Sequence, residues 1–415
     1  MNHVLGLRCV LCGAEYRPDE VTYVCPHHGH EGILDVVYDY PAIGRHLTRE
    51  TLAERREPSI WRYLELLPVS QPDLIPPLQV GWTPLYRARR LEERLGLQNL
   101  WIKDDGRNPT ASFKDRASAV GVAKALELGK RTITAASTGN AASSLAGLAA
   151  SVGLPTVIFV PERAPQAKVA QLLIFGATVF MVRGTYDDAF DLCLYASDKY
   201  GWYSRNTAYN PYLSEGKKTA ALEICEQLRW DPPDRIYVAV GDGCIIGGLW
   251  KGLRDLQALG LIERLPKLMG VQAEGSAVLT RAWQRGGEEI EPQPTDTLAD
   301  SIAVSIPRDR IKALRAVRET QGAYVTVSDD EILDAMRILA REAGVFAEPS
   351  GAAPLAGLRR SLREGAIDPS ERIVVLVTGN GLKDVQSAIR ATGGPQLIDP
   401  TPADLQRAVQ QLGLK

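Results

Sequence analysis

The sequence predicts an α/β protein of two open, largely parallel sheet domains flanked by helices, with a small Cys/His-bearing segment in front. Three observations carry this. Short apolar runs recur between glycine or polar turns, at 132–136, 156–160, 178–182, 236–240, 268–272 and 373–377. Buried parallel strands read this way. Helical patterns of ten residues or more alternate with the earlier runs, as crossover connections require. Cys9, Cys12 and Cys25 crowd into the first 25 positions, while Cys193, Cys225 and Cys244 are scattered.

The chain of 415 residues is long enough for two or three domains. It is 45% hydrophobic and 24% charged, an ordinary globular balance. Its formal net charge of −2 gives no basis for a nucleic-acid partner. No apolar run reaches the length that spans a bilayer, and the first eight residues lack a signal-peptide layout. No membrane partner and a cytoplasmic location are therefore expected. Nor does a chain of this size and type call for a disulfide framework.

Residues 1–40 form a unit of their own. Cys9-Val-Leu-Cys12 and Cys25-Pro-His-His28 flank a short hairpin-like stretch. Two knuckles of paired ligands suit tetrahedral zinc, which takes thiolate sulfur and imidazole nitrogen. Cys9, Cys12, Cys25 and His28 make the predicted set of a zinc-ribbon-like segment, with His27 or His30 able to replace His28. So short a unit has little core and would be loose without metal. A redox Cys-x-x-Cys fits less well, because no βαβ context surrounds it.

Residues 41–115 read as a connecting arm leading into the larger domain. The 47–67 stretch is helical in pattern, and Pro68, Pro72, Pro76 and Pro77 then force extended backbone. A strand is expected at 99–103 and helices at 112–128, 140–152, 166–175 and 187–200. Residues 116–230 would form a smaller, mobile α/β domain and 231–395 a larger one. Residues 396–415 end in a peripheral helix.

Four stretches carry chemistry. In Asn108-Pro-Thr-Ala-Ser-Phe-Lys-Asp-Arg116, Ser112 is placed to cap the alanine-rich run that follows. Lys114 then falls in a first helical turn, where the positive end of the macrodipole disfavours the ammonium form. A lysine that forms an imine needs just such a partly neutral, fixed amine. Ser137-Thr-Gly-Asn140 sits between a strand and a small-residue helix, where open N–H groups and hydroxyls suit a carboxylate. Asn140 can also donate to a ring oxygen. Gly241-Asp-Gly-Cys-Ile-Ile-Gly-Gly248 follows a buried strand and opens a helix near position 249, a place for a phosphate. It lacks the Gly-Lys-Ser/Thr ending and the acidic residue of nucleotide sites. Thr378-Gly-Asn-Gly-Leu-Lys-Asp384 follows the last apolar strand. Each stretch alone also has a plain structural reading, as a cap or a turn.

Together, in this order, these stretches resemble those of threonine synthases within the tryptophan-synthase-β, fold type II group of pyridoxal-phosphate (PLP) enzymes. Gly81-Trp-Thr-Pro-Leu85 and Glu348-Pro-Ser-Gly-Ala-Ala353 fit the same pattern. The resemblance implies a PLP-dependent carbon–oxygen lyase, usually a homodimer, that converts O-phospho-L-homoserine and water to L-threonine and phosphate. It implies Lys114 as the Schiff-base residue. Asn140, Gly241, Asp242, Gly243, Cys244, Ile245 and Thr378 would bind the cofactor, with Thr378 at the pyridine nitrogen. Ser137, Thr138, Asn140 and Asn206 would bind the amino-acid substrate. There are departures. The family's Asn-Pro-x-Arg-x-Glu-Gly reads Asn210-Pro-Tyr-Leu-Ser-Glu-Gly216, so the phosphate-gripping arginine is replaced by Leu213. Ser301 to Pro307 also lacks the arginine of a second family segment. Lys217, Lys218 or Arg205 could compensate. Leu213 equally favours an alternative, a threonine/serine dehydratase or a cysteate-synthase-like β-replacement enzyme.

Overall fold

The computed structural model describes residues 3–164 and 166–414. The chain opens with β1 (Val4–Cys9), β2 (Glu15–Tyr16) and β3 (Leu34–Tyr38), an antiparallel sheet in the order β2-β1-β3. The arm carries two short helices, α1 (Tyr40–Gly44) and α2 (Arg49–Glu54), then a kinked 3₁₀ stretch at Ile60–Leu66. The continuous helix expected at 47–67 is thus broken. Arg55 ends α2 in extended backbone, and Pro58 follows it.

The central part begins with β4 (Leu85–Arg87), α3 (Arg89–Leu95), β5 (Asn99–Asp104) and α4 (Lys114–Glu127). Next come β6 (Ile133–Ala136), α5 (Asn140–Ala150), β7 (Thr156–Pro161), α6 (Gln166–Ile174), β8 (Thr178–Val182), α7 (Tyr186–Tyr200) and β9 (Tyr203–Ser204). These four strands form a parallel sheet in the order β8-β7-β6-β9. The chain returns through α8 (Tyr212–Gln227), β10 (Arg235–Ala239), α9 (Cys244–Ala258), β11 (Lys267–Ala273), α10 (Val278–Gln284), α11 (Arg310–Glu319) and β12 (Ala323–Val327). It ends in α12 (Asp329–Ala343), α13 (Pro349–Arg363), β13 (Arg372–Val377), α14 (Val385–Thr392) and α15 (Pro402–Gln411). The second sheet runs β12-β11-β10-β13-β5-β4, parallel except for the edge strand β4. The larger sheet therefore takes strands from both sides of the smaller one in sequence.

Two helices join the halves. α8 lies against α4 so closely that a Cβ at Gly216 would fall 2.0 Å from the Arg116 carbonyl oxygen. On its other side α8 meets α9, where a Cβ at Gly252 would lie 2.5 Å from the Lys218 carbonyl oxygen. Only glycine permits such approaches. The core is apolar and continuous through these helices, with Val120, Ala123, Ala220, Ile224, Leu249 and Leu253 fully buried. α15 lies at the periphery with no buried residue. Among the described residues no helix is long and apolar enough to cross a membrane.

Candidate active site

β10, β13 and β5 are neighbours in the larger sheet, and the loops leaving their carboxyl ends converge. The loop after β5 carries Lys114 and is sewn to the loop after β13. Phe113 N–H donates to the Thr378 carbonyl at 2.8 Å, Asn380 N–H to the Ala111 carbonyl at 3.0 Å, and Ser112 bridges Gly379. Ala111 is held at φ 64, a costly conformation for a residue with a Cβ. The tie explains a difference from expectation. Ser112 does not cap the helix: the N-cap is Phe113, α4 starts at Lys114 itself, and Ser112 Oγ is buried without a partner. The bridge to Gly379 outcompetes the cap.

Lys114 is half-buried and makes no hydrogen bond or ion pair among the described residues. Burial lowers its pKa, the Cys244 thiol opposes, and the nearby Arg205 guanidinium adds to the lowering. Loss of solvent is the main cause of the lowering. Asp115 accepts hydrogen bonds from Thr110 N–H and Oγ1, and burial lifts its pKa to about 6. Arg116 is fully buried. It donates to Asp105 Oδ2 at 2.6 Å and to Glu223, while Lys103 donates to Glu223 Oε2 at 2.6 Å. These ion pairs lie directly beneath the lysine loop.

Loop 241–248 follows β10. Its helix begins at Cys244, five residues earlier than expected, with Gly243 as N-cap at φ 91. A Cβ on Gly243 would lie 2.6 Å from Ala313 Cβ, so only glycine can make this entry. Asp242, an acid in the loop expected to hold a phosphate, is engaged: its Oδ1 accepts from Arg308 N–H at 3.3 Å. Ile245 is half-buried in the first turn of α9.

Ser137, Thr138 and Asn140 stand half-buried at the carboxyl end of β6 and the start of α5. Asn140 Nδ2 donates to Glu348 Oε1 at 2.8 Å, joining the two halves across the cleft. Glu348 is buried; burial raises its pKa and the Asn140 bond works against that rise. Lys383 also crosses the cleft, donating to Ser143 Oγ and Gln171 Oε1, each at 3.2 Å. Asn206 is buried behind this face. Its Oδ1 accepts from Ala136 N–H at 3.0 Å and its Nδ2 donates to Cys193 Sγ at 3.5 Å. That geometry makes it a support for the 137–140 turn. Leu213 is buried against Gly121. Lys218, one of the suggested compensating cations, is spent on Glu215 and Asp255.

The residues fit a phosphorylated, aldehyde-bearing cofactor. A free lysine stands where three loops meet, and a helix N-terminus opens beside it. Arg205 Nη2, Lys217 Nζ and both Asp309 carboxylate oxygens are buried without hydrogen-bond partners among the described residues, and Lys312 Nζ lies 3.7 Å from Asp309 Oδ1. Sequence reasoning passed over Asp309 and the strained Ala111, and it treated Glu348 only as part of a turn. The ion pairs of Arg116 join residues up to 107 positions apart, which no local pattern reports.

In the N-terminal segment the ligand atoms of Cys9, Cys12, Cys25 and His28 all lie within 4.8 Å of one another. Cys12 Sγ–Cys25 Sγ and Cys9 Sγ–His28 Nδ1 are both 3.9 Å, and Cys25 Sγ–His28 Nδ1 is 3.7 Å. A tetrahedron with arms of about 2.3 Å has edges of about 3.8 Å. His30 is instead stacked on Tyr209, centroids 5.6 Å apart. Burial raises the Cys25 pKa, but hydrogen bonds with Tyr16 and His28 outweigh it and bring it down to about 6.

Fold and site together define a pyridoxal-phosphate-dependent enzyme. The family model described as "Pyridoxal-phosphate dependent enzyme" matches residues 77–379. The chain is 41% identical to the threonine synthase of Methanocaldococcus jannaschii over 407 residues, 98% of this chain and 99% of that one. It is 42% identical to that of Methanosarcina acetivorans over 405 residues, 97% of this chain and 98% of that one. The chain belongs to the threonine synthase family. Among solved structures, the fold is similar to a threonine deaminase isoform from Solanum lycopersicum. That match has a TM-score of 0.63 at 24% identity and covers 80% of this chain and 84% of that one. Diaminopropionate ammonia lyase from Escherichia coli matches at a TM-score of 0.65 and 20% identity, covering 82% and 93%.

Proposed function

We propose that the protein converts O-phospho-L-homoserine and water to L-threonine and phosphate, with Lys114 as the residue that holds the cofactor aldehyde. The observation that carries this is the unpaired Lys114 amine at the junction of the β5, β10 and β13 loops. When bound, pyridoxal phosphate supplies an electron sink for negative charge developing beside the substrate amino group.

The protein does the rest. Lys114, with its pKa lowered by burial, can take the Cα proton and return it at the neighbouring carbons. The N–H groups of 241–245 and the first turn of α9 favour the cofactor phosphate. The Thr378 hydroxyl would face the ring nitrogen; a neutral partner leaves that nitrogen largely unprotonated, which suits elimination and replacement over transamination. Asn140 would turn its amide to the ring oxygen. Ser137, Thr138 and the open N–H groups of α5 would hold the substrate carboxylate, with Asn206 fixing that turn from behind. Glu348 and Lys383 tie the two sheet halves across the cleft and help exclude water.

The four-stranded half, within 116–230, would move against the six-stranded half of 231–395 as substrate binds. Cys9, Cys12, Cys25 and His28 would hold one structural zinc ion. By family resemblance we expect a cytoplasmic homodimer. The dehydratase and β-replacement alternative rests on the arginines missing at Leu213 and in 301–307, whereas the relatives named above, matched over nearly the whole chain, are threonine synthases. The deciding experiment offers the PLP-loaded protein O-phospho-L-homoserine, O-phosphoserine with sulfite, L-threonine and L-serine. Threonine and phosphate should appear together from the first. Turnover of another member alone would overturn the proposal.

A further inference from the structure

Two cations beside Lys114 form no ion pair among the described residues, and the Asp309 and Asp115 carboxylates act on them only from beyond contact distance. Lys217 is 1% exposed and its Nζ has no hydrogen-bond partner. Arg205 is also 1% exposed. Its Nε donates to Ser118 Oγ at 3.1 Å and its Nη1 to Thr207 Oγ1 at 3.3 Å, which fixes the fork and leaves Nη2 unused. Among the described residues neither takes part in an ion pair. Neighbouring α8 residues show the contrast: Lys218 sits between Glu215 and Asp255 at 2.5 and 2.6 Å.

A buried cation without a partner is costly, and two close together more so. The strain shows in their titration. Burial pushes Lys217 down to about 8; the Cys244 thiol and the Asp309 carboxylate oppose this, and Arg205 and Lys114 add to it. Burial brings Arg205 down to about 10. Such a pair persists when the partner is a ligand, and a fixed guanidinium edge beside an ammonium matches a phosphate dianion.

Placement favours the substrate as its source. Lys217 lies one helical turn after Leu213 on the same face of α8. Leu213 is committed to apolar packing: a Cβ on Gly121 would lie 2.9 Å from Leu213 Cδ2. Arg205 joins the same cluster, since its Cγ would lie 3.9 Å from that same Cβ. The N–H groups of the α9 entry provide a place for the cofactor phosphate, and Lys217 borders it, since a Cβ on Gly248 would lie 2.7 Å from Lys217 Cβ; the cofactor-affinity arm of the test below separates the two phosphates.

We propose that Arg205 and Lys217 form the subsite for the phosphate of the substrate, a phosphate monoester dianion, and retain it as the leaving group departs. The inference rests on the function proposed above and deepens it. In the reaction the Cγ–O bond breaks, its electron pair leaves with the phosphate, and the two cations hold the inorganic phosphate formed.

The test uses the PLP-loaded protein and the variants Arg205→Gln, Lys217→Met and Lys217→Arg. KM for O-phospho-L-homoserine, binding of inorganic phosphate by calorimetry, and cofactor affinity by absorbance titration are measured on each. Arg205→Gln and Lys217→Met should raise KM and weaken inorganic phosphate binding by about tenfold or more, the worth of a charge-assisted bond. Cofactor affinity should stay unchanged, and Lys217→Arg should keep most of the phosphate binding. Unaltered KM and phosphate binding would overturn the proposal. So would weakened cofactor affinity with phosphate binding intact, which would give the two cations to the cofactor's own phosphate. If the neutral variants do not fold, the unmodified holoenzyme still decides: inorganic phosphate must bind and compete with the substrate, and failure to bind overturns the subsite. Absence of turnover in the unmodified enzyme, with phosphate bound through Arg205 and Lys217, would instead remove the parent function and leave the subsite standing.

Discussion

Asn140 and Glu348, 208 residues apart, meet across the cleft through a 2.8 Å hydrogen bond from amide to carboxylate. Asn140 is the residue expected to bind the cofactor ring oxygen, so binding must exchange one acceptor for the other. Glu348 then relies on Lys383 and Lys114, the cations that already act on it. Asn140→Ala should weaken PLP affinity by about tenfold, the worth of one buried hydrogen bond. Absorbance titration of the apoprotein with PLP measures this; equal affinity would place Asn140 outside the cofactor site.

Lys114→Ala removes a side chain without partners, so the fold should survive with a melting temperature close to the parent's. Activity should fall by about a thousandfold or more, since both cofactor attachment and proton transfer are lost. Borohydride treatment should fix PLP covalently to the parent and not to the variant, read by mass spectrometry. Covalent attachment in the variant would point to another lysine, such as Lys217, whose charge interacts with that of Lys114.

How much of this was legible in the sequence depended on whether the signal was local. The strands at 99–103, 132–136, 156–160, 178–182, 236–240, 268–272 and 373–377 all correspond to observed strands; those inside the sheets are apolar because they are buried on both faces, whereas the edge strand β8 is apolar although largely exposed. β12 mixes buried and half-buried residues, and β9 has two residues, so neither stood out. The Cys/His spacing was readable because each ligand pair sits on one turn. The role of Ser112 was misread because its competitor, Gly379, is far away in sequence. Arg205 and Lys217 could be suggested but not told apart from Lys218. What separates them is the presence of Glu215 and Asp255 beside Lys218, a fact of packing.

The Cys/His unit is docked by polar contacts to α11: Arg310 pairs with Glu31, Lys312 with Asp35, and Arg315 with the Val10 carbonyl. Because metal binding is folding energy for so small a unit, Cys25→Ala should abolish a zinc content of about one per chain. Losing about 2 kcal/mol would lower the melting midpoint of a chain this long by about 2 °C. Elemental analysis and calorimetry check both. A metal-free parent that melts unchanged after chelation would show that the cluster folds by packing alone. Lys312 also stands 3.7 Å from Asp309, beside the 241–248 entry, so a loosened ribbon should reduce PLP affinity as well.

The ion pairs under the lysine loop give the fold a defined acid sensitivity. Glu223 is fully buried. Burial alone would raise its pKa, but Arg116 and Lys103 overcome that and hold it at about 2, against 4.5 for a free carboxyl. Lys103 has the opposite balance: burial outweighs the attraction of Glu223, and its pKa falls. A depressed carboxylate contributes stability that is fully present above its unfolded pKa and is lost as pH drops through the folded value. The parent protein should therefore lose stability between about pH 4.5 and pH 2. Glu223→Gln removes this titration and should show a shallower fall over the same window. At neutral pH the same variant leaves Arg116 and Lys103 with one fewer buried anion, costing about 3–5 kcal/mol. Denaturant melts at pH 7, 4.5 and 3 measure both effects. Parallel pH profiles for parent and variant would mean that Glu223 does not carry the acid response, and that the loop bearing Lys114 is held mainly by its backbone ties to Thr378 and Asn380.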